Sequence, residues 1–134
     1  MKYFLNPNVI YLEETEFSGN RIYTQKQKQN GSPYFRDMTI VMVQGVFCGY
    51  CTQAKGVFQK LADDMTPMGI DFATIQIDGE RAGERVFKDG NMLSAVLGRP
   101  MGGVPLFAKF MGGGVVNVYE GPRDYQSLRA WIES

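Results

Sequence analysis

Histidine is absent from the 134 residues. That excludes a Ser-His or Cys-His catalytic pair and removes the commonest metal ligand. Neither sign of charge is in surplus, with 14 Lys and Arg against 14 Asp and Glu. A general binder of nucleic acid or of acidic membranes needs a basic surplus, so neither is expected as a partner. No apolar run approaches the ~18 residues of a membrane span. The opening Met1-Lys2-Tyr3-Phe4-Leu5 is broken by Asn6-Pro7-Asn8, too short a run for a signal-peptide core. The expected compartment is therefore the reducing cytoplasm, although a secreted chain already relieved of its signal would look the same.

Cysteine is scarce as well: Cys48 and Cys51 are the only two. A staple across so short a gap closes almost no loop and restrains the unfolded chain little. A chain of this length buries roughly two-thirds of its unfolded surface without one. The pair is therefore read for chemistry. In a reducing compartment a Cys-x-x-Cys between a strand and a helix is the sequence form of a thiol–disulfide site. A zinc or iron–sulfur centre would need two subunits to share four thiolates, since no other Cys and no His is present. No cofactor or metal is expected within the chain.

The rest of the sequence supplies that strand and helix. Residues 39–44 are β-branched and apolar, as in a strand buried on both faces. After the cysteines, Cys51, Ala54, Phe58, Leu61 and Met65 recur at helical spacing, and Thr66-Pro67 closes the run. Lys55 reads as a solvated side chain that could lend positive charge to the pair. Asp63 and Asp64 oppose the dipole of this helix, with no local reason. Before it, residues 9–12 form a short strand and residues 13–17 a turn or short helix. Residues 21–29 form another short helix, and Arg21, Lys26 and Lys28 a solvated basic face. After it come a strand at 70–77, a short helix near 82–87, and a helix at 91–97 with Asn91 as N-cap and Gly98 at its end. Leu106 to Met111 and Val115 to Tyr119 flank Gly112-Gly113-Gly114 as a hairpin. A last helix starts at Gly121-Pro122 and turns Tyr125, Leu128 and Trp131/Ile132 inward. Strands alternating with helices pair in parallel, and the final hairpin adds antiparallel strands. Cys48 then falls at the C-terminal edge of a central strand, where open α/β sheets carry their sites.

Five stretches in this order resemble the thioredoxin-fold superfamily, in the style of protein disulfide isomerase domains. They are Val9-x-x-Leu12 with Phe17, the strand and helix from Val41 through Cys51, and Phe72 to Asp78. Gly103-Val104-Pro105 follows, and then Tyr119-Glu120-Gly121-x-Arg123 with Leu128-x-x-Trp131-Ile132. The resemblance implies an α/β thioredoxin fold over a single domain, 1–134, with insertions near 24–36 and 80–90. Its mixed central sheet would have a parallel core, a C-terminal antiparallel hairpin and helices on both faces.

The resemblance also implies a protein thiol–disulfide oxidoreductase. Cys48, at the helix start where unpaired N–H groups favour negative charge, would attack, and Cys51 would resolve. A cis Val104-Pro105 bond would expose the Val104 backbone to an extended peptide. Phe47, Tyr50 and Met101 would form an apolar rim, unless Phe47 and Tyr50 are ordinary half-buried aromatics. Partners would be protein or peptide thiols and disulfides, and a recycling reductase or oxidase. The chain departs from the family pattern at three positions. Met42 stands where a buried Asp or Glu is usual, Phe47 where Trp precedes the first cysteine, and Tyr50 where disulfide isomerases carry His. These departures keep a non-catalytic partner-binding module open as the alternative, and an intersubunit metal site behind it. Such sites span about 150 mV in potential, so the direction of electron flow is left open.

Overall fold

The computed structural model describes residues 8–23, 35, 37–100 and 102–134. Strands β1 (Val9–Tyr11), β2 (Phe17–Ser18), β3 (Arg21–Ile22) and β4 (Met38–Gln44) lead to helix α1 (Gly49–Met65). Strand β5 (Asp71–Gln76), helix α2 (Asn91–Leu97), strands β6 (Leu106–Met111) and β7 (Gly114–Tyr119), and helix α3 (Tyr125–Glu133) complete the chain. The main sheet has the order β1-β5-β4-β6-β7. β1 and β4 each pair in parallel with β5, whereas β4–β6 and β6–β7 are antiparallel. This is the expected mixed sheet, and β4, which delivers the cysteines, lies at its centre.

Alternation along β4 and β5 divides the core between two faces. Ile40, Met42 and Phe72 point toward α1 and α3, where they pack with Cys51, Phe58, Leu61, Leu128 and Ile132. Phe58 bridges α1 to the sheet, its ring 5.4 Å from Phe72 and 5.9 Å from Phe107. Val41, Val43, Ala73 and Ile75 point the other way, against Phe17, Ile22, Phe87, Leu93 and Val96.

Three local expectations are corrected, and the place of Asp64 is explained. Residues 21 and 22 are strand rather than helix. Gly19, at φ +62°, turns the chain so that Phe17 pairs with Ile22 and Ser18 with Arg21. Residues 24–29 of that expected helix, and Lys26 and Lys28 with them, lie outside the described residues. Gly90, not Asn91, is the N-cap of α2. Gly121-Pro122 does not start the last helix: α3 begins at Tyr125, where the Asp124 carboxylate accepts from the Ser127 N–H at 2.9 Å. Asp64, placed against its own helix dipole, accepts from the Tyr125 hydroxyl at 2.6 Å and so ties α1 to α3.

The segment expected as an insertion near 80–90 is a 3-10 helix, Ala82–Asp89, and it belongs to the core. Phe87 is buried against Phe17, and Glu84 is buried with a two-point contact from Arg81. Of the earlier one, Phe35 is described, and it too is buried in the core. Among the described residues no helix is long and apolar enough to cross a membrane.

Candidate active site

The backbone leaves β4 at Gln44, turns through Gly45 to Phe47, and enters α1 at Gly49 with Cys48 as its N-cap. The first-turn N–H groups of a helix lack intrahelical partners. Here the Cys51 N–H is donated to the Cys48 Sγ at 3.1 Å. Across the site, the Val104 carbonyl lies 3.7 Å from the same sulfur as acceptor. The Val104–Pro105 peptide bond is cis. Cys48 is half-buried, Cys51 is fully buried, and both are free thiols. Sulfur, helix end and Val104 carbonyl are thus brought together as the sequence suggests.

The two aromatics flanking Cys48 are not core residues. Phe47 is 70% exposed and Tyr50 69% exposed, and Arg123 stacks over the Tyr50 ring with its guanidinium 5.9 Å from the centroid. Pro105, Tyr119 and Arg123 line a groove of about 420 Å³ on this side. Met101, expected on the rim, lies outside the described residues. A larger cleft of about 680 Å³ opens behind Phe47, lined by Tyr11, Gln76, Asp78, Arg81 and Glu84 among others. Among the described residues no cluster of three or more His, Cys, Asp or Glu is placed to hold a metal.

Beneath the thiols, Met42 is fully buried in the same apolar cluster as Cys51. Cys51 is pushed up to about 12, first by burial, then by its hydrogen bond with Cys48. A Gly45 backbone hydrogen bond and the charge of Lys55 pull it back. The structure corrects the reading of Lys55 as solvated: it is 0% exposed. Burial pushes its ammonium below the usual lysine range, and negative charge on Cys51, Asp78 and Cys48 opposes that. Asp78, beyond the end of β5, also accepts the Val46 N–H with both carboxylate oxygens, at 3.0 and 3.2 Å. The Gln44 side chain is fully buried, and neither amide atom has a partner among the described residues. The sequence held a signal for Lys55. It stands four residues after Cys51 and three before Phe58, inside the apolar stripe.

A parallel β1-β5-β4 core, the antiparallel β6-β7 hairpin and helices on both faces, with Cys-x-x-Cys at the end of the central strand, define a thioredoxin fold. The J-Trx1 fragment of ERdj5 superposes with a TM-score of 0.64 at 18% identity, over 95% of this chain and 49% of that one. Human ERp44 superposes with a TM-score of 0.63 at 13% identity, over 96% of this chain and 30% of that one. Thioredoxin of Malassezia sympodialis gives 0.54 at 20% identity, covering 72% of this chain and 73% of that one. At the level of sequence, the chain is 33% identical over 94 residues to thioredoxin-like protein 453L of Invertebrate iridescent virus 6. The match spans 63% of this chain and 63% of that relative. No protein-family model matches.

Proposed function

We propose that the chain is a protein thiol–disulfide oxidoreductase that works through Cys48 and Cys51. The observation that carries this is the position of the Cys48 sulfur. It is half-exposed at the N-terminus of α1, receives the Cys51 N–H at 3.1 Å, and lies between two exposed aromatics and the Val104 carbonyl. The thiolate is the form that attacks a disulfide, and a half-exposed sulfur is within a substrate's reach.

Cys48 attacks one sulfur of a substrate disulfide. The substrate S–S bond breaks, one substrate thiolate leaves, and Cys48 holds the other half as a mixed disulfide. Cys51 then attacks the Cys48 sulfur and the second thiolate leaves. The two cysteines are oxidised by two electrons and the substrate disulfide is reduced by two. In reverse the same steps oxidise a dithiol. Pro105 lines the groove beside the site, and in this scheme an extended peptide pairs with the Val104 backbone, with Phe47 and Tyr50 as an apolar margin. Thiol- and disulfide-bearing proteins are the partners in this scheme, with cytoplasmic placement part of the same proposal.

The experiment is reduction of a fluorescent disulfide peptide. Wild type is expected to turn over, Cys48→Ser to be inactive, and Cys51→Ser to accumulate the mixed disulfide. Equal rates for wild type and Cys48→Ser would leave the partner-binding module as the better description. The equilibrium potential of the pair then fixes the direction of electron flow.

A further inference from the structure

Beside the resolving thiol the sheet presents Met42, fully buried and apolar. Without another device, Cys51 would have to ionise in an apolar cluster, where a bare thiolate is strongly disfavoured. The described structure holds one positive side chain in this place. Lys55 is buried one helical turn after Cys51, on the face α1 turns to the sheet. Among the described residues, the charges that act on it include Cys51 and Cys48 from its own helix end and Asp78 from beyond β5. The Gln44 amide, on the same face of β4 as Met42, adds a buried polar group without a partner among the described residues. Asp78 and Gln76 in turn line the cleft behind Phe47, so the polar spot reaches solvent away from the substrate groove.

We propose that Lys55 is a positioning residue for resolution: its buried ammonium is the counter-charge against which Cys51 ionises, and the Asp78 carboxylate supports that charge. This rests on the dithiol reading above. With oxidised glutathione as co-reactant, Cys48 thiolate attacks one glutathione sulfur, forms the mixed disulfide and releases the first glutathione as thiolate. Cys51 gives up its proton to solvent, its thiolate attacks the Cys48 sulfur, and the second glutathione leaves as thiolate. The protein is oxidised by two electrons and oxidised glutathione is reduced to two thiols. In this scheme the Lys55 ammonium stabilises the negative charge on Cys51 before attack.

The test has two readouts. The first is stopped-flow release of the two glutathiones from wild type, Lys55→Met and Asp78→Asn at pH 8. The second is the Cys51 ¹³Cβ shift titrated against pH in the Cys48→Ser protein, with and without each change. There a neutral residue 48 mimics the mixed disulfide. Lys55→Met is expected to slow the second release at least about fivefold and to move the Cys51 titration alkaline by a corresponding ~0.7 unit. Asp78→Asn keeps an acceptor for the Val46 N–H, loses the charge, and is expected to move both in the same direction. A Cys51 titration unmoved by Lys55→Met overturns the proposal, whatever the rate does, because a packing defect slows release without changing that titration. Should Lys55→Met not fold, an unmoved titration in Asp78→Asn overturns it instead. A displaced Lys55→Met titration with an unmoved Asp78→Asn one overturns the part given to Asp78. Absence of the first glutathione release in wild type overturns the dithiol reading itself, independently of Lys55.

Discussion

In the proposed reaction, Cys51 is the residue that resolves the mixed disulfide. Burial and its contact with Cys48 push its thiol up to about 12, so at neutral pH almost all of it is protonated. Below that value the thiolate fraction rises tenfold per pH unit. Release of the mixed disulfide is therefore expected to accelerate about tenfold per unit between pH 6 and 9. Met42→Glu would place a carboxylate beside Cys51, able to take its proton and to pair with the buried Lys55. It is expected to raise the release rate at pH 7 and flatten that slope, while lowering stability because a charge is buried. Rapid-quench measurement of the mixed disulfide checks both, and an unchanged rate in Met42→Glu would show that the missing acid does not limit resolution. The thiols, Pro105 and the absent acid were legible because a short motif carries them. Lys55 was not. The general rule that lysine is solvated outweighed its place in the apolar stripe, and a single charged residue gives no sign of whether a partner waits across the core.

Elements with a period were the legible ones. β4, α1, β5 and the β6–β7 hairpin each span enough residues for alternation or a helical stripe to show. The hairpin of β2 and β3 has two residues in each strand, too few for any pattern. What holds it is remote in sequence. The Ile22 N–H is donated to the Gly113 carbonyl at 2.8 Å, and Arg21 reaches the Gly112 carbonyl at 2.7 Å. Gly113 is at φ +91°, and a Cβ there would strike the Ile22 carbonyl oxygen. Backbone conformation and close approach thus both require glycine. Gly113→Ala is expected to destabilise the protein by more than ~1 kcal/mol. The loss would begin locally, as faster hydrogen exchange at the Ile22 amide. Unchanged exchange at that amide would mean the hairpin is held by other contacts. The start of α3 was misplaced for a related reason. Proline is a good first helical residue in general, but the capping oxygen that fixes this helix belongs to Asp124, two residues further on.

Across the whole molecule, the sheet separates two apolar layers, and Val104, just before β6, packs against both. α1 and α3 cover one face. α2, the 3-10 helix Ala82–Asp89 and the β2–β3 hairpin cover the other. The thiols stand over the first layer, and the cleft reached through Asp78 opens toward the 3-10 helix beside the second. The expectation of one domain over 1–134 becomes, in these terms, a statement that the layers unfold together. The single tryptophan tests it. Trp131 lies on α3, its ring 5.0 Å from Tyr119 and its indole N–H donated to Asn117 at 2.6 Å, on the edge of the first layer. Phe87 lies in the second, edge-on to Phe17 at 6.0 Å. Phe87→Ala deletes a buried ring, at a cost of about 3–5 kcal/mol. That is a large fraction of the 5–15 kcal/mol typical of a domain. If the sheet couples the layers, the urea midpoint read by Trp131 fluorescence moves down as far as the one read by far-ultraviolet circular dichroism, although no atom near Trp131 has changed. A tryptophan transition that stays in place while the dichroism transition shifts would mean that α1, α3 and the thiols form a unit able to stand without the second layer.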